Sequence, residues 1–413
     1  MKVLWFEVTE PSRFQDKGLV VGGWQDSLEN IVRDCPDIEL SIAFESNDTC
    51  AQKKNIDGVN YIPICKGKGL VNKIKEKLNW NLRIQNLKRA MKKIVDEVNP
   101  DLIQVFGTEW PYGLVANITE KPVVIHIMGA LVQYSNALYA PGFSSNDLMR
   151  NISFLNFWKR IKFARSQKLF SWQVDCEKEV WKVVKYYMGR TEWDKNLSSI
   201  MHSNSIYFHV EEALRPEIML EGLVWSAPQN SKIQLVSTGC SSFWKGPDMM
   251  LRTAKILKDC QFDFEWIVAG RMRPDIKDCV EKKIGTTFED NNIKLIGFTK
   301  PSDLRKILCR STLYVHTAYV ENSPNSICEA QVLGVPVVST NVGGISTLLG
   351  NDGILVPAND PWQMAYAIIE LSLDKDKMEN FSKNGRSKAL ARHSTVNIKS
   401  QLLHCYNEIL RNS

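Results

Sequence analysis

Two glutamates, Glu321 and Glu329, stand eight positions apart in the stretch from Tyr314 to Gly344, one before a helix and one inside it. A carboxylate about one turn into a short helix beside a crevice can accept two hydrogen bonds from a vicinal diol such as a ribose. The N–H groups of Asn325 and Ser326 open that helix, and helix N-termini favour phosphate. One turn of chain therefore offers a diol acceptor, an anion site and, in Glu321, a loop carboxylate. The alternative reading is that both glutamates are solvated surface charges, as most glutamates are.

The surrounding pattern supplies the elements that would hold them. Leu313 to Thr317 is a short apolar, β-branched run that reads as a buried strand. Ser323 is a good N-cap, Pro324 suits the first helical position, Gly334 ends the helix and Pro336 prevents its return. Val335 to Thr340 is the next buried strand. Two such strands joined by a helix form a right-handed parallel unit, whose ligands bind outside the carboxyl ends of the strands.

The same residues carry a family resemblance. Glu321, seven residues, Glu329, then Ala330-Gln-Val-Leu-Gly334-Val-Pro336-Val-Val and Gly343-Gly344 resembles the donor-site motif of the family 4 retaining glycosyltransferases, which have the GT-B fold. The resemblance is specific over residues 314 to 357 and looser elsewhere. It implies an α/β chain of two Rossmann-like domains facing across a cleft, the first binding acceptor and the second a UDP- or GDP-sugar. It places Glu321 near the transferred sugar and Glu329 on the nucleotide ribose.

Further residues take roles through that resemblance. His126, at the end of the strand Val123 to Ile127, would face the donor sugar; read alone, it is a structural histidine. Gly22-Gly23 would floor the crevice between the substrates; read alone, it is a turn before the helix Gln25 to Asp34. Lys245-Gly246 matches the Lys-Gly that binds the donor diphosphate, and Ile293 to Phe298 matches the segment whose backbone meets the base. Cys240 departs from the pattern, because many members carry Arg there. Arg271, or Arg190, would then supply the missing charge; Arg190 reads equally as a structural ion pair.

Composition bounds the rest. At 413 residues, with 44% hydrophobic and 24% charged residues, the chain is an ordinary soluble composition long enough for two domains. The boundaries expected are 1–225 for the acceptor domain, 226–385 for the nucleotide-sugar domain and 386–413 for a last helix that crosses back. Ten scattered cysteines without a Cys-x-x-Cys pair argue against a disulfide framework or a zinc site. The only Asp-x-Asp, Asp374-Lys-Asp376, sits in a polar connector. No metal or other cofactor is expected if Lys245 and helix N-termini neutralise the leaving diphosphate. The apolar runs fall short of a bilayer span, and the first residues read as a strand rather than a signal peptide, so a cytoplasmic setting is expected.

Two basic stretches qualify that setting. Lys66 to Lys93 holds ten basic residues against Glu76, and Arg150 to Lys168 holds six with no acid, interleaved with Phe154, Phe157, Trp158 and Phe163. One reading is a solvated helix face; the other is contact with an anionic membrane surface, on the cytoplasmic face, that carries a lipid-linked acceptor. Nucleic acid is not an expected partner, since no nucleic-acid-binding motif accompanies the charge. Two rival functions share the architecture: a nucleotide-sugar 2-epimerase, which needs further acid–base carboxylates, and a non-catalytic nucleotide-sugar-binding subunit, which Cys240 would suit.

Overall fold

The computed structural model describes residues 1–15, 23–48, 50–65, 79–151, 157–228 and 232–413. They divide into two compact units. Unit 1 comprises Met1–Leu131, Trp172–Ala213 and His393–Ser413; unit 2 comprises Val132–Ser171 and Leu214–Arg392.

Unit 1 is built on eight strands: β1 (Lys2–Glu7), β2 (Glu39–Ser46), β3 (Lys54–Ile56), β4 (Val59–Cys65), β5 (Leu102–Phe106), β6 (Val123–His126), β7 (Tyr186–Gly189) and β8 (Ile206–His209). Their order is β3-β4-β2-β1-β5-β6-β7-β8, parallel throughout except for the antiparallel β3–β4 edge. Such strands are buried on both faces, which is why they read as continuous apolar runs rather than alternating ones. One face packs Leu28 and Val32 with Ile398, Leu402, Cys405, Tyr406 and Ile409 of the last helix, Thr395–Arg411. The other packs Leu87, Met91 and Ile94 with Val180 and Trp181.

Unit 2 holds six parallel strands: β9 (Ile233–Thr238), β10 (Phe264–Ala269), β11 (Ile293–Gly297), β12 (Leu313–His316), β13 (Val337–Thr340) and β14 (Ile354–Val356). Their order is β11-β10-β9-β12-β13-β14. The order reverses between β9 and β12, the point at which an open α/β sheet leaves a crevice at its carboxyl edge. Unit 1 reverses in the same way between β1 and β5.

The division differs from the expected 1–225 and 226–385. Residues 132–171 belong to unit 2 because Ala140, Phe143 and Leu148 enter its core, with Phe143 5.2 Å from Phe243 and Lys283 3.0 Å from Asp147. Leu214, Ile218 and Trp225 join the same core, and unit 1 resumes at His393 rather than at 386. The helix expected at 25–34 is Trp24–Arg33. The cap of the helix Asn325–Leu333 is Pro324 rather than Ser323, because Pro324 still has extended geometry (φ −69°, ψ 115°). Residues 66–78 and 152–156, which hold half of the first basic stretch and Phe154, lie outside the described residues.

Candidate active site

The carboxyl ends of β9 and β12 carry the two loops that hold Lys245 and Glu321. After β9 comes a single 3-10 turn, Phe243–Lys245, closed by Gly246 in the left-handed region (φ +67°). A Cβ at Gly246 would stand 1.9 Å from the Thr317 carbonyl, so only glycine lets the two loops meet. The Thr317 hydroxyl donates to the Lys245 carbonyl at 3.0 Å, and the Tyr319 amide to the Trp244 carbonyl at 2.7 Å. A third loop, after β13, closes the set: a Cβ at Gly343 (φ +55°) would fall 1.6 Å from the Glu321 carbonyl, and the Gly344 amide donates to Asn322 at 2.8 Å.

Within this frame the Lys245 ammonium donates to Glu321 Oε1, which also meets His316 Nε2 at 3.0 Å. Glu321 is only 4% exposed. Burial alone would raise its pKa, but the Lys245 cation and then His316 outweigh that and hold it at about 2. The carboxylate is therefore ionised at every working pH, unable to donate a proton but ready to stabilise positive charge. Cys240, in the same first loop, is buried, and its thiol is pushed up to about 12. It stays neutral and supplies no charge.

Glu329 is also buried, but it is not an open diol acceptor. Arg215 grips it in a two-pronged ion pair, Nε to Oε1 at 2.8 Å and a terminal nitrogen to Oε2 at 2.5 Å. Burial raises the Glu329 pKa and Arg215 opposes it. Each carboxylate oxygen retains a second lone pair, so the clamp orients the group while leaving acceptor capacity. Asn325 and Ser326 form the first turn of the helix Asn325–Leu333. Ser326 also bonds the buried Tyr314 hydroxyl, which lies 2.9 Å from Thr238 Oγ1. Phe298, just beyond β11, is 61% exposed, and Arg271, just beyond β10, is exposed.

The other expected site residues lie in unit 1. His126, at the end of β6, is fully buried, and neither ring nitrogen has a hydrogen-bond partner among the described residues. Burial, with the nearby Arg190 cation, lowers its pKa to about 3, so it is a neutral imidazole. Trp24 packs edge-on against it at 4.8 Å, which brings the Gly23 turn beside His126. A Cβ at Gly23 would meet nothing within 4 Å. Arg190, 1% exposed, pairs with Glu212 at 3.4 Å, the structural alternative weighed for it.

Sequence reasoning missed Arg215 and His316. His316 had a readable signal, a histidine ending a buried strand five residues before Glu321. Arg215 had none, lying 114 positions from its partner. Among the described residues no cluster of three or more His, Cys, Asp or Glu could hold a metal ion. Asp374 instead lies between two helices and accepts from the Lys377 amide at 2.9 Å.

Two parallel-sheet units, each with a switch point, define the chain as a GT-B fold. It is similar over 100% of both chains to sucrose-phosphate synthase from Thermosynechococcus elongatus (TM-score 0.71, 14% identity). It is likewise similar over 100% of both chains to Anabaena HepE, solved in complex with UDP-glucose (TM-score 0.64, 16% identity). Residues 226–388 match the family model described as glycosyl transferases group 1. In sequence, 171 residues are 26% identical to the capsular polysaccharide biosynthesis glycosyltransferase CapM of Staphylococcus aureus, covering 41% of this chain and 44% of that one. The match thus spans less than half of the curated relative's length.

Proposed function

We propose that this chain is a retaining glycosyltransferase of the family 4 type. It moves a sugar from a UDP- or GDP-sugar to a glycan or lipid-linked acceptor in polysaccharide or glycoconjugate biosynthesis. The observation that carries the reading is the Lys245–Glu321–His316 cluster at the switch point of a parallel sheet, within the segment that matches the family model. HepE, a structural neighbour, binds UDP-glucose.

In this reading Lys245 and the helix start at Asn325 and Ser326 neutralise the leaving diphosphate, the charge that grows as the glycosidic bond breaks. No metal is then required. Glu321, permanently ionised, lies near the sugar, where it accepts from hydroxyls and stabilises developing positive charge at the anomeric carbon. Tied as it is to Lys245 and His316, it is assigned no covalent bond to the sugar. Glu329, oriented by Arg215, takes the ribose hydroxyls, and the backbone before Phe298 meets the base. The neutral His126 offers one donor and one acceptor to sugar hydroxyls.

The lipid-linked acceptor is supported by the start of the helix Phe157–Val183. Phe157 and Trp158 are 65% and 78% exposed there, and Lys159, Arg160, Lys162, Arg165 and Lys168 follow with no acid among them. Among the described residues no helix is long and apolar enough to cross a membrane. In this reading the exposed Phe157 and Trp158 and the basic residues after them meet an anionic membrane surface.

The test is a panel of UDP- and GDP-sugars incubated with soluble glycans or lipid-linked acceptors, following nucleotide release and the anomeric configuration of the product by NMR. Acceptor-dependent release with retained configuration is expected. Sugar interconversion without transfer would establish the isomerase, and tight binding without turnover the non-catalytic subunit.

A further inference from the structure

On the helix Lys375–Arg392 most basic residues that approach the domain are already engaged. Lys377 pairs with Glu370 at 2.7 Å, Lys388 with Asp352 at 2.6 Å, and Arg392 donates to the Leu348 carbonyl at 2.9 Å. Lys383 and Arg386 differ. They stand three residues apart on one face, no ion pair is formed by either among the described residues, and Arg386 Nε is buried without a hydrogen-bond partner there. Nε itself is out of reach of solvent, so what the groove presents to a ligand is the remainder of the Arg386 guanidinium and the exposed Lys383 ammonium.

The two cations line a surface groove of about 670 Å³, together with Ser382, Trp225, Leu390 and Glu379. Glu379 already faces Lys375, 3.8 Å away. The groove lies at the C-terminal end of the helix Asn325–Leu333: a Cβ on Gly334 would stand 2.8 Å from Ser382 Oγ and 3.4 Å from Arg386 Cδ. Arg386 is not consumed in capping that helix. The Ala330, Gln331 and Leu333 carbonyls accept instead from the amides of Val335, Gly334 and Trp225.

We propose that this groove is a second anion site, which takes a phosphate group on Arg386, Lys383 and the Ser382 hydroxyl, with room beside Trp225 and Leu390 for the body of a phosphomonoester. Guanidinium and phosphate match in geometry, and a hydroxyl and an ammonium complete the set of donors; the one carboxylate on the groove wall, Glu379, is faced by Lys375. The site is separate from the Lys245 cluster and is independent of the reaction assigned above.

Thermal unfolding and calorimetry of the full chain, with inorganic phosphate and glucose 6-phosphate as separate probes against chloride at equal ionic strength, test it. A saturable rise in Tm is expected with both probes. Tighter binding of glucose 6-phosphate would show that the organic part is held too; equal affinity would show that phosphate alone is recognised. Replacing Arg386→Gln together with Lys383→Gln should weaken binding about tenfold or more, Arg386→Lys should retain part of it, and Lys245→Gln should leave this response in place. No saturable response in the wild type, or an equal one in the double variant that still folds, overturns the proposal.

Discussion

Glu321 shows how a single side chain is specified by its partners. Its charge is fixed by Lys245 and His316, so Glu321→Gln keeps the shape and removes the ion. Turnover should fall roughly 100-fold or more, on the scale of losing one preorganised electrostatic contact, while nucleotide affinity by calorimetry stays within about twofold. An equal loss of free-nucleotide binding would move Glu321 from the sugar to the nucleotide. Because its pKa is about 2, no limb of the activity profile between neutral and mildly acidic pH should shift with this change. Glu321, Glu329 and Lys245 were legible in the sequence because motif spacing within one loop or helix survives without knowledge of the fold. His316 was readable from its place five residues before Glu321, whereas Arg215 was not legible as the partner of Glu329, since a pairing over 114 positions is a tertiary fact. Arg190, which reads as either a structural ion pair or a crevice cation, forms a buried pair with Glu212 at 3.4 Å.

At the level of elements, three loops are locked by backbone approaches that exclude any side chain. Gly343→Ala would force its residue into the left-handed region at a cost of about 1–2 kcal/mol. It would also drive a methyl group to within 1.6 Å of the Glu321 carbonyl, so the loop must shift. Displacements of about 1 Å at a reacting centre can cost about 100-fold in rate. The expected result is therefore a kcat loss well beyond what the change in Tm explains; near-normal kcat would show that the β13 loop does not set the Glu321 position. Strand and helix positions were mostly readable, because buried parallel strands are uniform apolar runs. Residues 132–171 were not assigned to the right unit, because affinity for Phe243 across the core leaves no trace in local periodicity.

Across the whole molecule, buried acids set the response to pH. Burial raises Asp194 to about 7 and Asp248 to about 6, despite the hydrogen bonds that Thr191 and Tyr319 donate to them. The unfolded chain releases these protons near pH 4, so stability is highest below that point and falls as pH rises toward 7. Glu321 acts in the other direction, losing its stabilising charge only as pH falls from about 4 toward 2. Tm should accordingly decline between pH 5 and pH 7, and Asp248→Asn should flatten that decline. A rise over this window would mean that the two aspartates are ionised in the folded chain.

The last helix gives the molecule a direction in time. Tyr406 accepts a hydrogen bond from Trp5, 401 positions earlier, and donates to Gln104, so unit 1 lacks part of its core until residues 393–411 have left the ribosome. Unit 2 is complete at Arg392. Unit 2 should therefore be the first to finish folding, and a chain stopped at Arg392 should show protease-resistant residues 132–171 and 214–392 beside readily cleaved residues of unit 1.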